Sequence, residues 1–420
     1  MQFTFSLQNE KDYDILVVGS GPAGVAAAIS AARCGVRVLL VEALGRVGGI
    51  STSGMMSHFT GSVGNRMYHE ILTRAAEKNT FHKGELTTRI DPENLTLTYL
   101  EMLEEAGADL LLYTTFCEAV MENNKATGAI FHNKDGFLLV RAKVIIDATG
   151  DGDVAYRCGA EYILGREEDN KMQPATLMFK VGGVDDERAA FPPSFETTVE
   201  TEKGELQSLA RQLLPHPAGH VLLYRSTIPG VTTVNMTNVT DIDGTKAEDL
   251  TRAEIVTRRQ IPEILKFLRE YVPGYESCYL LGTASLIGVR ETRHFIGERT
   301  LTREDIAEAI QHDDFIVYDA HFNFDVHNIT GAGLDKTGCQ HKFTQTKGYT
   351  IPYGCFVPKA VDGLLLAGRC ISGTHMAHSS YRAMPICVGM GEGVGIAAAI
   401  AVKEGIEVRT VSPKQIQALL

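Results

Sequence analysis

The chain has no run of the roughly 18 uninterrupted apolar residues that a membrane span requires, so no membrane partner is expected. It has no long lysine or arginine run, and its formal net charge is -12. A surface of that sign repels a phosphate backbone at long range, which argues against nucleic acid as a partner. The first residues, MQFTFSLQNEKDYD, lack a basic start followed by an apolar core. Neither a secretory nor a mitochondrial leader is therefore expected, and the expected location is cytoplasmic. The eight cysteines (Cys34, Cys117, Cys158, Cys278, Cys339, Cys355, Cys370 and Cys387) are scattered, with no C-x-x-C pair. That excludes a thioredoxin-like dithiol centre and a cysteine-rich iron–sulfur module, and leaves most of them to be reduced and buried. Internal repeats and low-complexity linkers are absent too, so a second domain is expected to be inserted into the first.

What is present is ordinary in bulk and specific in detail. At 420 residues, 44% hydrophobic and 22% charged, the chain can build two packed domains. Its most informative stretch is residues 14–42, DILVVGSGPAGVAAAISAARCGVRVLLVE. The apolar run 15–18 suits a parallel strand covered on both faces. Gly19, Gly21 and Gly24 then lead into an Ala-rich helix: the first permits the tight turn, the second lets a pyrophosphate approach the backbone, and the third lets helix and strand pack closely. The helix N-terminus offers unpaired N–H groups and partial positive charge to phosphates. A second strand, 38–41, ends at Glu42, where a carboxylate can accept hydrogen bonds from a ribose diol and repel a 2′-phosphate.

The loop after Glu42 (Gly45, Arg46, Gly48, Gly49, Ser51, Thr52, Ser53, Gly54) is too glycine-rich for a helix and would lie next along a bound dinucleotide, with Arg46 in reach of a phosphate. Helices are expected over 66–78 and 91–106. Period-two strands follow over 109–113, 117–121, 126–132 and 137–141, forming an antiparallel meander before a buried strand at 144–148. From about residue 165 the pattern changes. Thr251 and Glu254 read as a capping box opening a helix that runs to about Tyr271, and Thr302 as the cap of a short helix. The run His321-Phe322-Asn323-Phe324-Asp325-Val326-His327 alternates strictly, and as a strand would carry His321, Asn323, Asp325 and His327 on one face. A polar substrate wall and a solvated face both fit it, and the solvated face is the expectation. From Ile351 the first style returns, with a buried strand at 364–367, Gly368-Arg369, and a final helix placing Pro385 first. Gly389, Gly391, Gly393 and Gly395 would each cost that helix roughly 1 kcal/mol, which implies close packing against another backbone or a flat ligand.

Four segments together, GSGPAG at 19–24, IDATGDGDVA at 146–155, GVRETR at 288–293, and VDGLLLAGRCIS with SYRAMPICVGMGEG within 361–393, resemble the FAD dependent oxidoreductases of the glutathione-reductase-like superfamily, relatives of fumarate reductase flavoproteins and of the heterodisulfide reductase flavin subunit. The resemblance implies an α/β fold: a discontinuous Rossmann-like FAD-binding domain (1–165 and 350–420) with a parallel sheet and antiparallel meander, and an inserted mixed α+β substrate domain (166–349). It implies noncovalent FAD. Gly19, Gly21, Pro22, Ala23, Gly24, Glu42 and Ala43 would hold the ADP half, with Arg46, Gly48 and Gly49 alongside. Ala119 would bring backbone to the adenine, Thr149, Gly150 and Asp151 would close over the cofactor, and Gly368 and Arg369 would line the ribityl region. Many superfamily members have Gly-Asp where this chain has Gly368-Arg369. The helix at Pro385 would aim its positive end at the flavin.

In the same resemblance Arg290, His375, His378 and Arg382 lie near the ring, where two arginines can clamp a carboxylate and two histidines can exchange a proton. His375-x-x-His378 shows no third ligand by spacing, so no metal is expected. No second Gly-x-Gly-x-x-Gly follows a strand, so electrons come from the substrate itself or from an external donor or acceptor. The expected activity is hydride transfer between FAD and a small, anionic substrate molecule. The alternatives are a flavoprotein electron-transfer subunit and a flavin-dependent RNA-modifying enzyme.

Overall fold

The computed structural model describes residues 7, 9–56, 58–85, 88–193, 197–335 and 343–420. The apolar run at the start of the glycine motif becomes the end of β1 (Asn9–Val18), and the motif itself turns into α1 (Pro22–Arg33) before β2 (Val38–Val41). β1 pairs in parallel with β2, and β2 with β3 (Asp109–Leu111). On its other side β1 pairs in parallel with β6 (Gly136–Asp147), and β6 with β7 (Leu364–Leu366). β4 (Thr115–Glu122) and β5 (Lys125–Asn133) add the antiparallel meander, giving the order β3-β2-β1-β6-β5-β4 with β7 against β6. Ile15, Leu16, Leu40, Ile145, Ile146 and Leu365 are fully buried, the two-sided burial their unalternating sequence requires.

β6 is one strand where two were expected. Its first half borders β5 and its end borders β7, so the meander and the parallel sheet share a single twelve-residue strand. The parallel strands therefore end together at Val18, Val41, Leu111, Asp147 and Leu366, the side on which such sheets bind ligands.

The final helix, α2 (Met384–Glu404), is apolar and long enough to cross a membrane, and 94% of its most apolar window is buried within the protein. Pro385 is its second residue, and Gly405 ends it in a left-handed conformation. Its glycines are there for packing. A Cβ on Gly391 would lie 2.1 Å from the Ala23 carbonyl oxygen and one on Gly395 2.4 Å from that of Ala27, so α2 lies directly on the backbone of α1. Gly393 meets Ile316 in the same way.

A second hydrophobic core gathers residues from 175 to 287, including Leu177, Phe179, Val234, Ile264 and Leu268, around a sheet of Leu223–Arg225, Thr232–Val234, Phe179–Gly182 and Tyr279–Thr283. Phe295, Leu301 and Ile316, within the expected 166–349, pack instead in the larger core with the parallel sheet. The long helix of this unit is Ala247–Tyr271, so Thr251 lies inside it and its hydroxyl donates back to the Ala247 carbonyl. Glu248 and Asp249 in the first turn favour the earlier start. Thr302 caps its short helix with Asp305 as expected.

The segment 321–327 is not a strand. His321 makes an isolated bridge to Ser62 and His327 one to Leu334, while the backbone between them meets the helix His375–Tyr381: Asp325 N–H donates to Ser379 O, and the Ser380 hydroxyl to Phe322 O. With a helix for a neighbour its second half turns inward, while His321 and Asn323 stay partly exposed. Asp325 and His327 are 5% and 6% exposed.

Candidate active site

The glycine turn is assembled by the ends of the sheet. Gly19 N–H donates to Val41 O, Ala148 N–H to Val18 O, and Ala367 N–H to Asp147 O. Gly19 has φ +93° and a Cβ there would sit 2.5 Å from Ala148 O, while a Cβ on Gly24 would sit 1.9 Å from Gly19 O. Those two glycines serve the protein's own packing. Gly21 does not: its φ of −62° suits any residue, and a Cβ there would meet nothing within 4 Å. It is the N-cap of α1, followed by Pro22 and Ala23, and no side chain caps the helix. The open space over Gly21 thus faces unpartnered N–H groups.

The loop at 48–49 closes one flank. Gly48 N–H donates to Ser20 O, and Gly49 lies against Gly21. Glu42 is oriented by its own chain, one carboxylate oxygen accepting from Ser20 N–H and Oγ at 2.8 and 2.7 Å and the other from Leu44 N–H at 2.9 Å. Ala43 beside it is exposed. Arg46 corrects an expectation: its guanidinium turns to the helix Pro92–Ala106, donating to Thr96 Oγ1 and Pro92 O and pairing with Glu93 at 3.0 Å. The acceptors of that helix engage Nε and Nη2 of the guanidinium. Ala119 is paired with Ala129 on β4, the edge strand of the sheet.

The other flank is Thr149-Gly150-Asp151 facing Gly368-Arg369. Gly368, with φ +97°, approaches Ala23 at the start of α1. Arg369 reaches under Gly150 to pair with Asp151 at 2.9 Å, and its other terminal nitrogen, Nη1, is buried with no hydrogen-bond partner among the described residues. An open cradle over Gly21, an uncapped helix N-terminus and an orphaned guanidinium N–H form a donor set for an anionic group such as a pyrophosphate, so the residues fit FAD. The start of α2 at Met384 and Pro385 is likewise uncapped by any side chain.

Residues 285–293 bridge the two flanks. Ser285 N–H donates to Ser53 O at 3.0 Å, and at the far end Thr292 Oγ1 donates to Asp151 Oδ1 at 2.8 Å. Arg290 and Glu291 stand between these anchors. Arg290 donates to the Pro174 carbonyl and forms no ion pair among the described residues. Burial, with Arg382 nearby, draws its pKa down to about 10. Arg382 uses one nitrogen, Nη2, to donate to Asp325 Oδ2 at 2.7 Å and to Asp325 O at 2.8 Å, while its Nε is buried with no hydrogen-bond partner among the described residues. Of the two expected clamp arginines, Arg382 thus holds Asp325 through one nitrogen, and Arg290 forms no ion pair among the described residues. The other oxygen of Asp325 pairs with His327 Nε2 at 3.3 Å, and the His327 ring stands 6.4 Å from that of His220. Burial first, then the charge on Arg290, pushes His327 down to about 4; burial and then His327 push His220 down to about 3.

His375 and His378, from the helix His375–Tyr381 capped by Thr374, meet Glu291 from the opposite side. Glu291 is fully buried. Its Oε1 accepts from His375 Nδ1 at 2.6 Å and from His294 Nε2 at 2.9 Å, and its Oε2 from Gln173 N–H at 3.1 Å. Burial opposes ionisation, yet the imidazole hydrogen bonds hold this carboxyl well below its usual range. Burial, then His294, pushes His378 well down. Glu291, His294, His220, Asp325 and His327 are the functional candidates that spacing did not select. The first two lie in and beside the GVRETR block, and the last two in the alternating run assigned to solvent.

The family model described as "FAD dependent oxidoreductase" matches residues 14–420. Among curated proteins the chain is 30% identical over 195 residues to a digeranylgeranylglycerophospholipid reductase 2 of Methanothermobacter thermautotrophicus, covering 41% of this chain and 48% of that protein. It is 28% identical over 153 residues to a digeranylgeranylglycerophospholipid reductase of Methanosarcina acetivorans, covering 33% and 38%. The chain thus spans less than half the length of either relative. A geranylgeranyl bacteriochlorophyll reductase-like protein from Thermoplasma acidophilum has a similar fold, with TM-score 0.53 and 15% identity over 98% of this chain and 83% of that one.

Proposed function

The chain belongs to the FAD dependent oxidoreductase family and uses FAD, and from that premise we propose that it transfers hydride to or from a small anionic substrate held by Arg290. Bound FAD supplies the hydride acceptor or donor. The observation that carries the substrate class is Arg290 itself: a half-buried guanidinium set between the two flanks of the cofactor cradle, felt by the Asp325 charge but forming no ion pair among the described residues. Such a group keeps its donors for a ligand, and a carboxylate meets a guanidinium fork with two parallel hydrogen bonds. Asp325 holds Arg382 and His327 in place, so the wall beside Arg290 is rigid and polar. His327 and His220, kept neutral, can donate to or accept from a substrate oxygen without adding charge.

This polar wall also speaks against carrying over the lipid substrates in the names of the reductase relatives. Titration of the FAD-loaded protein with a panel of short mono- and dicarboxylates tests the reading. At least one should perturb the flavin absorption band saturably, while uncharged esters of the same acids should not. Equal perturbation by acids and esters, or by neither, would contradict it.

A further inference from the structure

We infer that Glu291, His294 and His378 form a binding site for one divalent first-row metal ion of the zinc, cobalt(II) or iron(II) class. They come from two parts of the fold: Glu291 and His294, three residues apart, from the bridging segment and the strand Arg293–Phe295 that continues it, and His378 from the helix His375–Tyr381. Their ligand atoms all lie within 4.8 Å of one another, and their exposures are 0%, 3% and 1%. His294 Nε2 and Glu291 Oε1 are 2.9 Å apart, close to the ~3.0 Å that separates two ligands at right angles on an ion with bonds of about 2.1 Å. His378 Nδ1 stands 4.0 Å from the same oxygen and has no hydrogen-bond partner among the described residues. A ring turn that closes that gap by about 0.6–1 Å completes a face of three ligands.

A buried imidazole nitrogen with nothing to bond to points to a missing ligand. The His294 and His378 rings already stand perpendicular, 4.7 Å between centroids, so their edges do not block each other. His375 plays the supporting part: its Nδ1 hydrogen-bonds the ligating carboxylate at 2.6 Å, the outer-shell contact that orients metal-bound carboxylates. Glu291 Oε2 is fixed in turn by Gln173 N–H. The nearby arginines do not add uncompensated charge, because Arg369 is paired with Asp151 and Arg382 with Asp325. Two imidazoles and one carboxylate suit borderline divalent ions, whereas calcium and magnesium prefer oxygen alone and copper(I) prefers thiolate. Three protein ligands leave a position for water or substrate.

The test uses untagged, FAD-loaded full-length protein, stripped with chelator and titrated with Co2+, followed by visible absorption and by metal analysis after desalting. One equivalent of cobalt should be retained, with a spectrum differing from that of the aqueous ion. His294→Ala and His378→Gln should each weaken binding at least tenfold while FAD content is kept. A variant-independent check is the anomalous signal of a Zn2+- or Co2+-soaked crystal, which should peak among the three side chains. An aqueous-type spectrum with no retained metal would show that the cluster is only a hydrogen-bonded histidine–carboxylate network. Retention unaffected by both variants, or an anomalous peak elsewhere, would equally overturn the site.

Discussion

Arg382 Nη2 lies 2.7 Å from Asp325 Oδ2, joining the helix that precedes α2 to a segment whose polar residues would otherwise face the apolar interior. This ion pair neutralises Arg382 and leaves Arg290 as the arginine beside it without an ion pair among the described residues.

The pair is buried enough for its two halves to be unequal to their sum. Asp325→Asn should destabilise the protein by about 3–5 kcal/mol in urea unfolding, because Arg382 keeps its charge without a counterion. The double variant with Arg382→Met should recover most of that loss. Additive losses in the two single variants would show that the pair is not coupled.

Part of the acid sensitivity should come from the buried neutral pair His220 and His327. His327 and His220 are depressed to about 4 and about 3 from 6.5, so the stability they contribute is complete above pH 6.5 and is lost as pH falls toward those values. At pH 5 the gap of about 1.5 units corresponds to about 2 kcal/mol for each. The urea midpoint should fall between about pH 7 and pH 5, and His327→Gln should flatten that fall. An unchanged slope in the variant would assign the acid lability elsewhere.

Two glycines of one motif should fail in different ways. The Cβ of Gly21→Val meets no atom within 4 Å, so the apoprotein should fold with a nearly unchanged melting temperature yet bind FAD at least a hundredfold more weakly. Gly24→Val drives a side chain into the Gly19 carbonyl and should lose soluble folded protein altogether. Tight FAD binding by a folded Gly21→Val protein would move the pyrophosphate off this turn. In the wild type, acid precipitation should release all the flavin if it is held noncovalently.

Local rules carried much of the fold. The strand, turn and helix at 14–33 were legible because each glycine's duty is decided within a few residues and by the strand alongside. The crowded glycines of α2 were legible as a demand for close approach, and Gly391 and Gly395 show that the demand is the backbone of α1. Long-range partners were not legible. Alternation in 321–327 signals a strand only when another strand lies beside it; here a helix does, and it draws Asp325 and His327 inward. Arg46 carried the right charge, but the first turn of the helix at 92–106 offers nearer acceptors. The ligands that meet His378 stand 87 and 84 positions earlier, so no spacing around His375-x-x-His378 could find them.

The central claim, that Arg290 holds the anionic group of the substrate beside FAD, is tested most directly by repeating the carboxylate titration on Arg290→Met and Arg290→Lys with flavin content measured in each. Both variants should retain FAD and fold. Methionine should abolish the saturable perturbation and lysine should weaken it at least tenfold, since a point ammonium cannot reproduce the bidentate fork. Carboxylate binding of wild-type strength in Arg290→Met, with full flavin content, would contradict the account.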